Sequence, residues 1–271
     1  FGQSAVDIAL WDIKGKYLNQ PVWRLLGGYS KRVPAYITFG LLEYDREQLV
    51  EAARYWVAQG HTRLKMVVAI DGAENVAEDA ERVRLVREAV GDGVELMVDA
   101  NHLFDYVSAL ELCRRLEPYN IRWFEEPCRW TNDRRWMRDV RLQTGIPVTA
   151  GQSEVTLNGL RDLVVDGAID VSNFDASWAG GPTIWRKAAG LCAAFGVQLG
   201  HHEEPQVAAH LLASTPLGGC VEVFADPARD PLWYQLPAQR PKIKGGRYHV
   251  PQGPGLGLPL DPQVVQRYRT G

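Results

Sequence analysis

Between residues 33 and 225 the chain repeats one unit: a short apolar run rich in Val and Ile, then a longer stretch whose apolar residues fall at helical spacing. Eight such runs lie near Pro34–Gly40, Arg63–Ala69, Glu95–Asn101, Ile121–Pro127, Pro147–Ser153, Asp170–Ser177, Val197–His202 and Cys220–Phe224. Helical patterns fit between them, as at Arg46–Gln59, Val76–Val90, Tyr106–Leu116, Leu157–Val165 and Thr183–Phe195. Gly60, Asp92-Gly93 and Gly196 stand where helices should stop. Eight strands alternating with helices at a spacing of about 25 residues argue for parallel strands closed into a TIM-like α/β barrel. An open, doubly wound sheet is the alternative, but it usually carries a Gly-rich phosphate loop after its first strand, and none is present.

The flanks break the rhythm. Residues 1–32 read as a helix and linker leading into the barrel, with apolar Ala5, Ile8, Ala9, Trp11 and Ile13 making a stripe. That helix starts without a cap or a methionine, so the reading expects further sequence upstream, including any targeting signal. After Asp226 a Pro- and Gly-rich extension, 226–271, ends in a short helical stretch near Val264–Arg269 and is expected to wrap back over the barrel. The formal net charge of -3 and the lack of polybasic runs argue against nucleic acid and membrane surfaces. No apolar run approaches the roughly 18 residues that span a bilayer. Cys113, Cys128, Cys192 and Cys220 lie far apart without a CxxC pair. They read as buried thiols of a reducing, cytoplasmic compartment.

A barrel of this kind builds its active site at the C-terminal ends of its strands. Those ends carry Lys65 on the second strand, Asp99 and Asn101 on the third, Glu125 on the fourth, Gln152 and Glu154 on the fifth, Asp175 on the sixth, His201-His202 on the seventh and Glu222 on the eighth. Alternation puts Lys65 on one face with Val67, Asp99 with Asn101, Gln152 with Glu154, and Asn173 with Asp175. Neighbouring parallel strands lie about 5 Å apart, so acids and amides on three successive strand ends can converge on one cation. Oxygen ligands without His or Cys favour Mg²⁺ or Mn²⁺ over zinc. One such acid alone would read as a solvated loop carboxylate.

The ordered set Lys65-Met66-Val67, Val98-Asp99-Ala100-Asn101, Trp123-Phe124-Glu125-Glu126-Pro127, Asp175-Ala176-Ser177-Trp178-Ala179-Gly180-Gly181, and His202 ahead of Ala209-His210-Leu211-Leu212 resembles the mandelate racemase subgroup of the enolase superfamily. The resemblance runs from the opening helix to Pro254-Gly255-Leu256-Gly257. It implies a (β/α)7β-type barrel with an N-terminal α+β capping domain that would lie upstream of this chain. It further implies Mg²⁺ held by Asp99, Glu125 and the Gln152 position, or Glu154 on the same strand. Asp175 and His202 would form an acid/base dyad. Glu222 would hydrogen-bond the far oxygen of the substrate carboxylate, with Lys65 beside that carboxylate. Asn101 and His102 would complete the substrate contacts, although His102 also reads as a surface residue. His201 reads as an exposed or supporting histidine, and His210 as structural.

Two positions depart from the family pattern. Val67 stands where a racemase-like site has a second lysine, and valine cannot move a proton. Gln152 stands where the family usually has Glu, so the metal site loses one negative charge. The reading is therefore a Mg²⁺-dependent acid-sugar dehydratase, a hydro-lyase acting on a small aldonate or aldarate, and a homo-oligomer. Its rivals are a one-base epimerase and a non-catalytic barrel.

Overall fold

A computed structural model describes residues 1–229 and 231–269. Helices α1 (Gly2–Tyr17) and α2 (Val22–Leu26) precede seven βα repeats and a closing eighth strand. These comprise β1 (Arg32–Phe39), α3 (Arg46–Ala58), β2 (Arg63–Val67), α4 (Val76–Val90), β3 (Glu95–Asp99), α5 (Tyr106–Leu116), β4 (Ile121–Glu125) and α6 (Asp133–Thr144). There follow β5 (Val148–Ala150), α7 (Leu157–Val165), β6 (Val171–Ser172), α8 (Gly181–Phe195), β7 (Gln198–His201), α9 (Pro205–Leu212) and β8 (Gly218–Val223). All eight strands run parallel in chain order, and β1 pairs with both β2 and β8, which closes the barrel. Among the described residues no helix is long and apolar enough to cross a membrane.

Helix starts follow local chemistry. Asp45 accepts from Gln48 N while the Gln48 side chain accepts from Asp45 N, a reciprocal cap that satisfies two amides otherwise left without partners. Asn75, Asp105 and Thr156 cap α4, α5 and α7 by the same kind of side-chain acceptance. One helix escapes the sequence reading. In α6 only Met137 and Val140 are buried apolar residues, Trp136 is part-buried, Arg135 and Arg138 are exposed, and Arg134 and Arg141 pair with Glu154 and Asp170, so few apolar residues mark it as a core helix.

The expected strands were too long at their C-terminal ends. β5 stops at Ala150 rather than Ser153, and β6 at Ser172 rather than Ser177. The chain bends out there into the loops that carry the polar residues. Alternation therefore fails beyond the strands: Asn101 leaves β3 with a left-handed backbone and is exposed, and Gln152, Glu154 and Asp175 lie in loops.

Two apolar layers result. The large one lies between strands and helices, and includes Ile37, Leu64, Leu96, Phe124, Leu160 and Trp185. A small one fills the barrel interior with Tyr36, Met97 and Trp123, and Cys220 packs against it, part-buried rather than buried like the other three thiols. The extension supplies α10 (Pro231–Gln235), β9 (Ile243–Lys244), β10 (Arg247–His249) and α11 (Pro262–Tyr268). β10 pairs antiparallel with the start of β1 and with β9. The chain then crosses α1 so closely that a Cβ on Gly15 would stand 2.6 Å from Gly255 Cα. Only glycine allows that crossing. His210 on α9 ties the pieces together, accepting from Trp23 N at Nδ1 and facing the Leu256 carbonyl through Nε2.

Candidate active site

Register across the barrel brings Val67, Asp99 and Glu125 into one row on adjacent strands. Inside that row, Lys65 is buried, and its ammonium lies 2.9 Å from Asp99 Oδ2, 2.7 Å from Glu125 Oε1 and 2.8 Å from Glu222 Oε1. Burial works against the charge on Lys65, but the three carboxylates hold its pKa well above the ordinary range. One cation among three anions leaves two negative charges unbalanced. That excess falls on Glu125: burial, with Asp99 and Glu222 nearby, pushes its carboxyl up to about 7 against the pull of Lys65. Glu222 goes the other way. Burial would raise it, but Lys65 and His202 bring it down to about 2. It accepts from Thr38 Oγ1 and from Glu203 N, so it stands here as an acceptor.

Among the described residues no group of three or more His, Cys, Asp and Glu is arranged to hold a metal. Two amide oxygens at these strand ends are buried without a hydrogen-bond partner, an unusual state for a buried acceptor: Asn173 Oδ1, on the amide whose Nδ2 donates to Glu125 Oε1 at 2.9 Å, and Gln152 Oε1, beyond β5. Two carboxylates, an orphaned amide oxygen and an excess of two negative charges fit a hard divalent cation. Glu154 belongs elsewhere: its carboxylate is 2.7 Å from Arg134 and packs against Gly159 at the start of α7. The Gln152 turn is itself held from below. Buried Glu126 accepts from Gly151 N at 2.7 Å and Gln152 N at 3.1 Å.

Across the barrel, Asp175 sits in the turn after β6, where Oδ1 accepts from Ser177 N and Oγ. Its Oδ2 meets His202 Nδ1 at 3.0 Å. That partner fixes the tautomer and leaves Nε2 as the working nitrogen. Burial opposes a charge on His202, yet the Asp175 hydrogen bond and the carboxylates of Glu222 and Glu203 push it up to about 9. Trp178 lies edge-on to the imidazole at 5.5 Å.

Of its two expected places His201 takes the supporting one: it is wholly buried, with Nε2 accepting from Ala176 N and Nδ1 against the His202 carbonyl, so it braces the turn that holds Asp175. His102 is not a surface residue. Its ring packs against Trp130, tilted by 48° with centroids 4.6 Å apart, its Nε2 is 3.3 Å from Ser153 Oγ, and Nδ1 is 3.3 Å from Glu126 Oε2 without hydrogen-bond alignment. Burial lowers it to about 4. Glu126, Glu203 and Trp178 were not singled out as site residues in the sequence, because nothing in their local pattern tells a supporting residue from a loop residue.

The family described as Enolase C-terminal domain-like matches residues 48–264, and the mandelate racemase / muconate lactonizing enzyme N-terminal domain matches residues 1–27. The chain belongs to the enolase superfamily. It is 30% identical to an arabinonate dehydratase of Saccharolobus solfataricus, over 99% of this chain and 72% of that protein. It is 33% identical to a 3,6-anhydro-alpha-L-galactonate cycloisomerase of Streptomyces coelicolor, again over 99% and 72%. A mandelate racemase/muconate lactonizing enzyme from a marine actinobacterium, solved with magnesium, superposes with a TM-score of 0.93 at 43% identity, covering 99% of this chain and 74% of that one. An L-talarate dehydratase from Polaromonas sp. JS666, complexed with Mg and L-glucarate, gives 0.89 at 34% identity, covering 99% and 69%.

Proposed function

We propose that this enolase-superfamily member dehydrates an acid sugar by removing the proton α to its carboxylate and expelling the β-hydroxyl. The observation that carries this reading is a one-sided base set: His202 with its Asp175 partner on one wall, and Val67 where a second proton-transfer group would stand. Inversion at carbon wants a base on each face, whereas elimination needs one.

Asp99, Glu125 and Gln152 are the residues that would hold magnesium, which when bound stabilises the negative charge that develops on the substrate carboxylate. His202 Nε2 takes the α-proton, and the C–H electrons move into the carboxylate to make the enediolate. Lys65 is placed to move from its three carboxylates toward those oxygens. Its departure also removes a main cause of the low Glu222 pKa, so Glu222 can pick up the proton it needs to donate to the far oxygen. The proton on His202 then passes to the β-hydroxyl as the C–O bond breaks, and water leaves. Elimination yields an enol that becomes a 2-keto-3-deoxy acid.

Similarity to a cycloisomerase supports a second reading that shares the first step. If the β-oxygen belongs to a ring, the same elimination opens the ring and loses no water. A screen of acid sugars with added Mg²⁺, followed by semicarbazide derivatisation and mass spectrometry, separates the cases. A keto product one water lighter than substrate supports dehydration, and a keto product of equal mass supports cycloisomerisation. Formation of an epimer alone, with no keto product, overturns both.

A further inference from the structure

Beside the working nitrogen of His202 stands a carboxylate with no part in the motif or the metal ligand set. Glu203 Oε1 is 4.0 Å from His202 Nε2 and 3.0 Å from Arg229 Nη2. Arg229 comes from the segment after β8, and its guanidinium lies 3.2 Å from the centroid of the Phe224 ring. The Glu203 amide is also committed, donating to Glu222 Oε2 at 2.8 Å. Both Glu203 and Glu204 adopt φ of +44°, a left-handed conformation that non-glycine residues hold only when their surroundings impose it. A strained two-residue turn thus carries a side chain to the base and an amide to Glu222.

We propose that Glu203, clamped by Arg229, is a positioning residue for His202: it stabilises the imidazolium that forms on proton abstraction, while Arg229 tempers that effect so that neutral imidazole stays accessible. This rests on His202 being the base of the proposed reaction. The other groups facing His202 are Asp175 at Nδ1, Glu222 on β8 and, further off, His102 and His201, with Trp178 on its flank. None of them contacts the Glu203–Arg229 pair except Glu222, which does so through the Glu203 backbone.

The test is an NMR titration of the histidine side chains in the purified protein, with the His202 signal identified by its loss in His202→Asn. A charge at about 4 Å in a largely aqueous dielectric is worth roughly 1 kcal/mol, or about 0.7 of a pH unit. Glu203→Gln should lower the His202 midpoint by at least about half a unit. Arg229→Met should raise it, because Glu203 is then unopposed. The double variant should return to the Glu203→Gln value. A purely packing role predicts no such opposition of sign. An unchanged midpoint in Glu203→Gln, or shifts of the same sign in both single variants, overturns the assignment. No substrate is involved, so a protein that turned over no acid sugar would sink the proposed reaction and leave this result standing.

Discussion

Asp99, Glu125 and Glu222 are buried together, and among the described residues the Lys65 ammonium is the cation that touches all three. Removing one partner of a buried ionic set costs on the order of 3–5 kcal/mol, because the remaining charges stay desolvated and unpaired. Lys65→Met should lose stability of that order at neutral pH in urea unfolding. Glu125, already pushed up to about 7 by burial, loses the cation that pulls it down, so the folded variant binds more protons than the unfolded chain and should regain stability as pH falls. A variant as stable as the parent would contradict the electrostatic picture. His202 gives the matching functional test. It works as a base only when neutral, and, against burial, Asp175, Glu222 and Glu203 push its pKa up to about 9. Exchange of the substrate α-proton with deuterated solvent should therefore rise with pH, pass half its maximum near 9 and level off above that, and His202→Asn should abolish it. Exchange that persists in His202→Asn would point to Lys65 or His102 as the base. That Lys65, Asp99, Glu125 and Glu222 would converge was legible in the sequence, because they sit on strands whose order the βα rhythm reveals. The pairing of Glu154 with Arg134 was not, since counting alternate residues along β5 assumes a strand that in fact ends at Ala150.

At the scale of elements, α4, α5 and α7 could be read to the residue, since a polar cap and an apolar stripe mark both ends. Strand ends and α6 could not: the first depend on where a loop bends outward, and the second buries too little to leave a pattern. The joints between elements were equally invisible. His210, Trp23 and Leu256 meet across 187 and 46 residues of sequence. This joint makes a pH prediction. Burial holds His210 down at about 4 against an ordinary 6.5, so the unfolded chain binds the proton first. Sensitivity to acid should appear as pH drops below 6.5 and be complete near 4, worth ~3 kcal/mol if the whole shift is expressed. Chemical denaturation of the protein and of His210→Gln across that range checks it: the variant should be less stable at pH 7 and lose less on acidification. Parallel pH curves would mean that another group controls the acid limb.

The molecule as a whole should report the metal through its stability. Three negative charges and one positive charge at the barrel mouth leave a deficit that one divalent cation matches, while the folded chain alone brings Asp99 and Glu125 side by side. A ligand that binds only the native state stabilises it by about 2.7 kcal/mol at a hundredfold excess over its Kd. For a domain of this size, about 1 kcal/mol moves Tm by roughly 2–4 °C, so saturating Mg²⁺ should raise Tm by about 5–10 °C. Asp99→Asn should remove most of that rise, because the site then keeps too little negative charge to repay dehydration of the ion. Gln152→Glu should do the reverse. It adds a third carboxylate at the orphaned oxygen, lowering Tm without metal through repulsion and steepening the response to Mg²⁺. Thermal melts of the three proteins over a Mg²⁺ series decide the matter. A Gln152→Glu protein with an unchanged Mg²⁺ response would mean that this side chain does not face the ion, and the third oxygen would have to be sought elsewhere on the rim.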